Sequence, residues 1–480
     1  MLVDNPFIHT FRTREGYYFY DVNKNSIIKV GKGVYNAIKN NSAEDTAESE
    51  DLLSIEKMKE EGLFSSKRVK EILHPADDTL EYYLNNKLKM LTLQVTRQCN
   101  LRCEYCVYSG NYENRGHSNE KINFSTAKKG IDFLLDHSRD NKNIAIGFYG
   151  GEPLLEFELI KKCIEYAEKQ CEGKEILFTF TTNATLFTDE ILDYIKEHNI
   201  RILVSLDGPG EVHDINRKFA SNCRGTFDIV INNLQKIKDK YPEVYNKLNI
   251  HAVVDRKNEF GCINSFFADN KVVKDASFSL SFVSEYYSKR AITSEENFSK
   301  DIDYEYFKLF LNKLGKLDKE YVSKLITPYF EHMERSYKQL VTVSELSDKM
   351  HHGGPCIPGI QRLFLNVNGE FFPCERVNEE SSVMKIGDID AGFNIEKVRS
   401  ILNIGKISEE KCKTCWAIRF CGLCAAVADD DTEFSAKKKA VYCNNTKNSI
   451  EAMFKDICTL REKGFNFSDN PIENYLISEV

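Results

Sequence analysis

The chain has 480 residues and a formal net charge of −8, with 42% hydrophobic and 29% charged residues, the balance of a water-soluble globular protein. The acidic balance argues against nucleic-acid binding, and no window approaches the roughly 18 apolar residues of a membrane span. The start, MLVDNPFIHT, lacks the basic and apolar regions of a secretory signal, so a cytoplasmic location is expected, with the 15 cysteines as reduced thiols or metal ligands.

In chain order, Phe7 to Phe11, Tyr17 to Tyr20 and Ser26 to Val30 read as strands, and GKGVYNAIKN turns helical. An acidic linker, NSAEDTAESED (41–51), precedes two short helical stretches, SIEKMKEEGLF and SKRVKEILH. Together these predict a small α+β domain over 1–80. From residue 90, LTLQV (91–95), IAIGF (144–148), ILFTFTTN (176–183), IRILVSLDG (200–208), LNIHAVV (248–254) and SFSLSFV (277–283) are strand candidates. Helical stretches separate them, opened by Ser125, Thr188 and Thr226. Six strand–helix repeats predict a parallel α/β fold over 85–290, and the unusual residues cluster at strand ends, where such barrels build active sites. A helical bridging region (291–350) follows, then a cysteine-rich segment (351–450) with a hairpin turning at Asn368–Gly369, and a tail (451–480) entered through a helix from about 445.

The cysteines are clustered. TRQCNLRCEYCVYSG places Cys99, Cys103 and Cys106 directly after a predicted strand. Three thiolates on one loop can hold three irons of a [4Fe–4S] cluster and leave the fourth open; zinc usually takes four ligands, and no fourth is evident nearby. Seven more, Cys356, Cys374, Cys412, Cys415, Cys421, Cys424 and Cys443, include the run KCKTCWAIRFCGLC. Its two Cys-x2-Cys pairs also fit a zinc ribbon. Cys163, Cys171, Cys223, Cys262 and Cys458 have no ligand spacing and read as ordinary residues.

CNLRCEYC resembles the Cys-x3-Cys-x-aromatic-Cys signature of the radical S-adenosylmethionine (SAM) enzymes. The resemblance implies a partial (β/α)6 barrel in which the open iron binds SAM, and reduction yields a 5′-deoxyadenosyl radical that abstracts a substrate hydrogen. It makes Cys99, Cys103 and Cys106 the catalytic cluster ligands, with Tyr105 as the aromatic residue. Gly150, Gly151 and Glu152 of YGGEP would receive the SAM amino group. Asn183 and Ser205 would supply ribose and carboxylate contacts, and Arg217 would pair with the SAM carboxylate. Asp207, in SLDG, is either a proton acceptor or a turn-former.

The second cysteine group resembles the SPASM extension of that superfamily, whose pattern is Cys-x9-15-Gly-x4-Cys, gap, Cys-x2-Cys-x5-Cys-x3-Cys, gap, Cys. The one departure is CGLC, two intervening residues in place of three. By resemblance Cys412, Cys415, Cys421 and Cys443 close one auxiliary cluster. Cys356, Cys374 and Cys424 hold another with an open iron, making three [4Fe–4S] clusters in all. His351 and His352, just before Cys356, read as part of a polar turn, with an eighth cluster ligand as the alternative, and Trp416 as packing against or covering a cluster. The N-terminal domain resembles winged-helix-like modules that bind the leader of a ribosomally made precursor peptide as an added strand, with Ile27, Ile28 and Val30 on the receiving edge. The whole resembles thioether-forming maturases of cysteine-rich peptides, served by a flavodoxin- or ferredoxin-type electron donor. Carbon–carbon cross-linking, epimerisation and sulfatase-type maturation share these parts.

Overall fold

The computed structural model describes residues 5–40, 49–113, 116–171, 173–353 and 356–467. Its first three strands, β1 Ile8–Arg12, β2 Tyr17–Asp21 and β3 Ser26–Val30, form an antiparallel sheet in the order β1-β2-β3. Alternation divides the sheet's side chains between two cores. Phe19, Ile28 and Val30 pack beneath the helices Lys32–Asn40 and Ser49–Glu60. Phe11, Tyr18, Tyr20 and Ile27 join the main core, where Phe11 and Tyr20 meet Phe454.

Two local expectations change here. SKRVKEILH is extended rather than helical. Glu71–Ile72 forms β4, which pairs in parallel with β11, Lys349–Met350. The amides of Lys70 and Glu71 donate to Asp348, so this backbone is satisfied by a distant segment rather than by its own turn. Of the linker, residues 41–48 lie outside the described residues, and 49–51 open a helix.

The six expected barrel strands are β5 Met90–Thr96, β6 Asn143–Gly150, β7 Glu175–Thr182, β8 Arg201–Ser205, β9 Asn249–Val254 and β10 Ser277–Phe282. Each lies parallel to the next in chain order. Helices connect them, and Thr188 caps its helix by accepting from the Ile191 amide at 3.2 Å. Asn123, not Ser125, caps the helix Phe124–Asp136, accepting from the Thr126 amide at 2.9 Å. Thr226 makes no cap bond, because its hydroxyl turns to the Arg217 carbonyl and His213.

The sheet does not end with the barrel. β12 Leu363–Leu365 lies parallel beside β5, with Leu363 opposite Leu91. β13 Glu370–Phe372 returns antiparallel through the Asn368–Gly369 turn, where Gly369 sits at φ +83°. β14 Gly387–Asp388 and β15 Gly392–Phe393 complete a ten-stranded sheet. The cysteine-rich segment is therefore welded to the barrel through backbone hydrogen bonds. The last helix begins at Ala436, ahead of the expected 445, and runs to Glu462, so the expected boundary at 450 falls inside it. In the bridging region only Glu296–Lys313 and Thr327–Gln339 are α-helical. Among the described residues no helix is long and apolar enough to cross a membrane.

Candidate active site

Cys99, Cys103 and Cys106 follow β5 on one loop. The Leu101 amide donates to Cys99 Sγ at 3.3 Å and the Tyr108 amide to Cys106 Sγ at 3.4 Å. Burial pushes the Cys99 and Cys103 thiols up to about 12, and all three thiols lie within electrostatic reach of one another. The end of β6 clamps this loop. The Gly151 amide donates to the Thr96 carbonyl and the Glu152 amide to the Gln98 carbonyl, both at 2.9 Å. A Cβ on Gly150, at φ +141°, would fall 2.0 Å from Thr96 O, and one on Gly151 would fall 2.0 Å from Gln98 O. The two glycines are thus required by the cysteine loop itself, besides any ligand.

Glu152 was expected to face an ammonium. In the structure its carboxylate accepts from Thr182 Oγ1 at 2.7 Å, the Asn183 amide at 2.8 Å and the Leu154 amide at 3.1 Å. Burial raises its pKa to about 7 against these bonds. It ties the ends of β6 and β7 together. Asn183 Nδ2 reaches Asn100 Oδ1 at 2.8 Å and lies 3.9 Å from Cys99 Sγ. Ser205 closes β8 and lines a cavity inside the barrel.

Arg217 is 7% exposed and committed to Asp207, with Nε at 2.8 Å and Nη2 at 3.2 Å. Tyr105 donates its hydroxyl to the same carboxylate, and the Val253 amide adds a bond at 3.0 Å. The guanidinium lies 5.4 Å from the Tyr105 ring centroid. Burial would raise Asp207, but Arg217, His213 and Tyr105 together leave the carboxyl lowered. Asp207, unassigned from sequence, is therefore the hub joining the cysteine loop, the β8 end and Arg217. The available signal was its place at a strand end, shared by the other site residues.

The seven later cysteines fall into two sets. Burial pushes Cys374 up to about 11, with Cys356 and Cys424 in electrostatic reach. Cys421 is likewise pushed to about 11 by burial, with Cys415 and Cys412 in reach, and Cys443 neighbours Cys415. Cys424, after the shortened interval, thus stands with Cys356 and Cys374. Among the described residues no three His, Cys, Asp or Glu side chains stand close enough to share a single metal ion. Sets of three and four thiols within electrostatic reach of one another are a donor set of the kind a polynuclear iron–sulfur core takes.

Three further expectations meet different surroundings. His351 and His352, expected in a polar turn, are both buried. The Trp416 ring stacks on His9, with centroids 3.7 Å apart and planes 3° apart, and His9 Nε2 meets Glu451 at 2.9 Å. It fastens the N-terminal sheet to the cysteine-rich segment. Ile27, Ile28 and Val30 are all buried, so only the backbone of β3, the edge of its sheet, is left to receive a strand. Its start is bracketed by Asn25 Nδ2 to the Gln339 carbonyl at 2.7 Å and Ser26 to Thr342 at 2.9 Å.

The inner faces of the barrel strands carry small and polar residues, among them Thr92, Gly147, Thr179, Thr181 and Ser281, which cannot fill the barrel. They leave a cavity of about 2010 Å³. The same cavity reaches Cys99, Cys103 and Cys106 at one side, and Arg362, Glu375 and Leu423, beside Cys374 and Cys424, at another.

Parallel strands with helical crossovers, and three cysteines on the loop after the first barrel strand, have the arrangement expected of a radical SAM barrel. Residues 93–257 match the model of the Radical SAM superfamily, a family that implies SAM and a [4Fe–4S] cluster. The fold is similar to the solved structure of native anSMEcpe with bound AdoMet, with TM-score 0.57 and 21% identity, covering 78% of this chain and 99% of that one. The same protein has been solved with AdoMet and a Cp18Cys peptide. The cysteine-type anaerobic sulfatase-maturating enzyme of Clostridium perfringens is 24% identical over 381 residues, 76% of this chain and 96% of that protein. The radical SAM cyclopropyl synthase TigE of Paramaledivibacter caminithermalis is 24% identical over 192 residues, 38% of this chain and 39% of that protein. The chain spans only 46%, 39% and 43% of the length of several curated relatives it matches.

Proposed function

We propose that this protein is a radical SAM maturase that installs sulfur-to-carbon thioether cross-links in a cysteine-rich, ribosomally made precursor peptide. One observation carries the reading. A single cavity joins the cysteine loop of the barrel to the neighbourhood of Cys374 and Cys424, so one bound peptide can present a carbon at the first and a cysteine at the second. Bound SAM and its cluster would supply a 5′-deoxyadenosyl radical, and two auxiliary [4Fe–4S] clusters a thiolate site and a sink for the surplus electron. Cys99, Cys103 and Cys106 would hold the first. Cys356, Cys374 and Cys424 would hold the second, and Cys412, Cys415, Cys421 and Cys443 the third.

The protein's own groups position the parts. Asp207 holds Arg217 and Tyr105 against the cysteine loop, presetting a cation for a carboxylate ligand. The Glu152 bridge fixes the strand ends beneath it. The N-terminal sheet would take the peptide's leader on the backbone edge of β3, and a flavodoxin- or ferredoxin-type protein would deliver reducing electrons. The test is anaerobic co-production with a short cysteine-rich precursor peptide, followed by tandem mass spectrometry. The reading requires loss of two hydrogens and one alkylatable thiol per linkage; product peptides with every thiol still alkylatable would refute it.

A second reading, oxidation of a cysteine or serine side chain to an aldehyde as in sulfatase maturation, is favoured by Glu375. This carboxylate lines the cavity beside Cys374, is fixed by Arg362 through one oxygen, and keeps Oε2 buried without a partner. Such a group suits a proton acceptor, and an aldehyde trapped by a hydrazine probe would select this reading.

A further inference from the structure

The seat formed by Cys412, Cys415, Cys421 and Cys443 contains a buried lysine that the reading above does not use. Lys439 stands in the run KKKA, whose Lys437 and Lys438 are exposed, yet Lys439 is itself only 2% exposed. It sits one turn before Cys443 on the last helix, and Cys443 Sγ lies 3.8 Å from its carbonyl oxygen. Its ammonium donates to Ser408 Oγ at 2.9 Å and lies 3.8 Å from Cys412 Sγ. Ser408 Oγ is itself 3.3 Å from that sulfur. Cys421, His351 and His352 are within its electrostatic reach.

Among the described residues Lys439 makes no ion pair with a carboxylate, although many of the other lysines do. An ammonium taken out of water without a counter-charge is costly, and such groups persist when something negative compensates them. Here the groups able to become negative are the cysteines. Four thiolates on a [4Fe–4S] core leave the assembly net negative, and charge and hydrogen bonds around the sulfurs set its potential. We propose that Lys439 is the built-in counter-charge of the cluster held by Cys412, Cys415, Cys421 and Cys443, a positioning residue oriented by Ser408 that raises the cluster's reduction potential. The proposal rests on the reading of these four cysteines as a cluster seat, and it adds a residue that the cysteine pattern does not contain.

The test uses the full chain with Cys99, Cys103 and Cys106 replaced by alanine, reconstituted anaerobically with iron and sulfide. In that parent the remaining auxiliary signals are titrated by electron paramagnetic resonance, and a Cys412→Ala, Cys421→Ala variant identifies the signal belonging to this seat. Lys439→Met should shift the reduction equilibrium of that signal at least tenfold towards the oxidised form, a fall of 59 mV for one electron. Lys439→Arg, which keeps the charge, should stay within threefold of the parent. Loss of iron from this seat in Lys439→Met but not in Lys439→Arg would equally support the counter-charge. An unchanged midpoint in Lys439→Met with full iron, or loss of iron in both variants, would overturn it and leave a packing role. If the Cys412→Ala, Cys421→Ala variant retains every signal and all its iron, the seat itself fails and the proposal falls with it.

Discussion

Asp207 offers the sharpest perturbation of the barrel site. Its carboxylate is buried and receives Arg217 through two bonds, at 2.8 and 3.2 Å, together with Tyr105 and the Val253 amide. Asp207→Asn keeps the shape but strands a buried guanidinium, and Arg217→Met strands the carboxylate. Removing one partner of a buried pair costs about 3–5 kcal/mol, because the survivor is left uncompensated. Removing both avoids that penalty, so the double variant should cost less than the sum of the singles by about 1–3 kcal/mol. Urea unfolding of the iron-free protein, followed by far-ultraviolet circular dichroism, measures all three. SAM affinity should fall in each variant, since Tyr105 and Arg217 lose their shared anchor. Singles within about 0.5 kcal/mol of the parent, or a double equal to their sum, would refute the hub.

Glu152 carries a pH signature. Its folded pKa of about 7 lies above the ordinary 4.5. The folded protein therefore holds a proton that the unfolded chain releases first, so this stabilisation is complete below 4.5 and lost as pH rises through 7. Relative to Glu152→Gln, the parent should lose about 3 kcal/mol across that window by denaturant titration, at 1.36 kcal/mol per unit. His9→Ala should red-shift the emission of Trp416, the single tryptophan, and weaken docking of the N-terminal sheet by about 0.5–1.5 kcal/mol. Cys424→Ala should lose the same iron complement as Cys374→Ala and leave the signal of the Cys412 set intact; Mössbauer spectra showing loss from the other set would overturn the grouping.

The barrel was legible because each strand alternates over a few residues and ends at an unusual cluster, both local signals. The grouping of the cysteines along the chain was legible for the same reason, since their spacing is a local pattern. What escaped depends on partners far apart in sequence. Asp207 read equally as a proton acceptor or a turn-former until Tyr105 and Arg217 closed on it. Glu71–Ile72 is a strand only because Lys349–Met350 lies beside it. Trp416 is occupied by His9 from the opposite end of the chain. Lys439 was hidden in a run of lysines that reads as a solvated helix face, and only the packing of the last helix on the Ser408–Cys412 turn separates it from its neighbours.

The central claim is that the loop carrying Cys99, Cys103 and Cys106 drives radical chemistry from SAM. Anaerobic protein reconstituted with iron and sulfide, reduced with dithionite and given SAM, should release 5′-deoxyadenosine on chromatography, and replacement of those three cysteines by alanine should abolish it while leaving the auxiliary iron bound. Cleavage that persists in the triple variant, or zinc in place of iron in the anaerobically purified parent, would contradict the account.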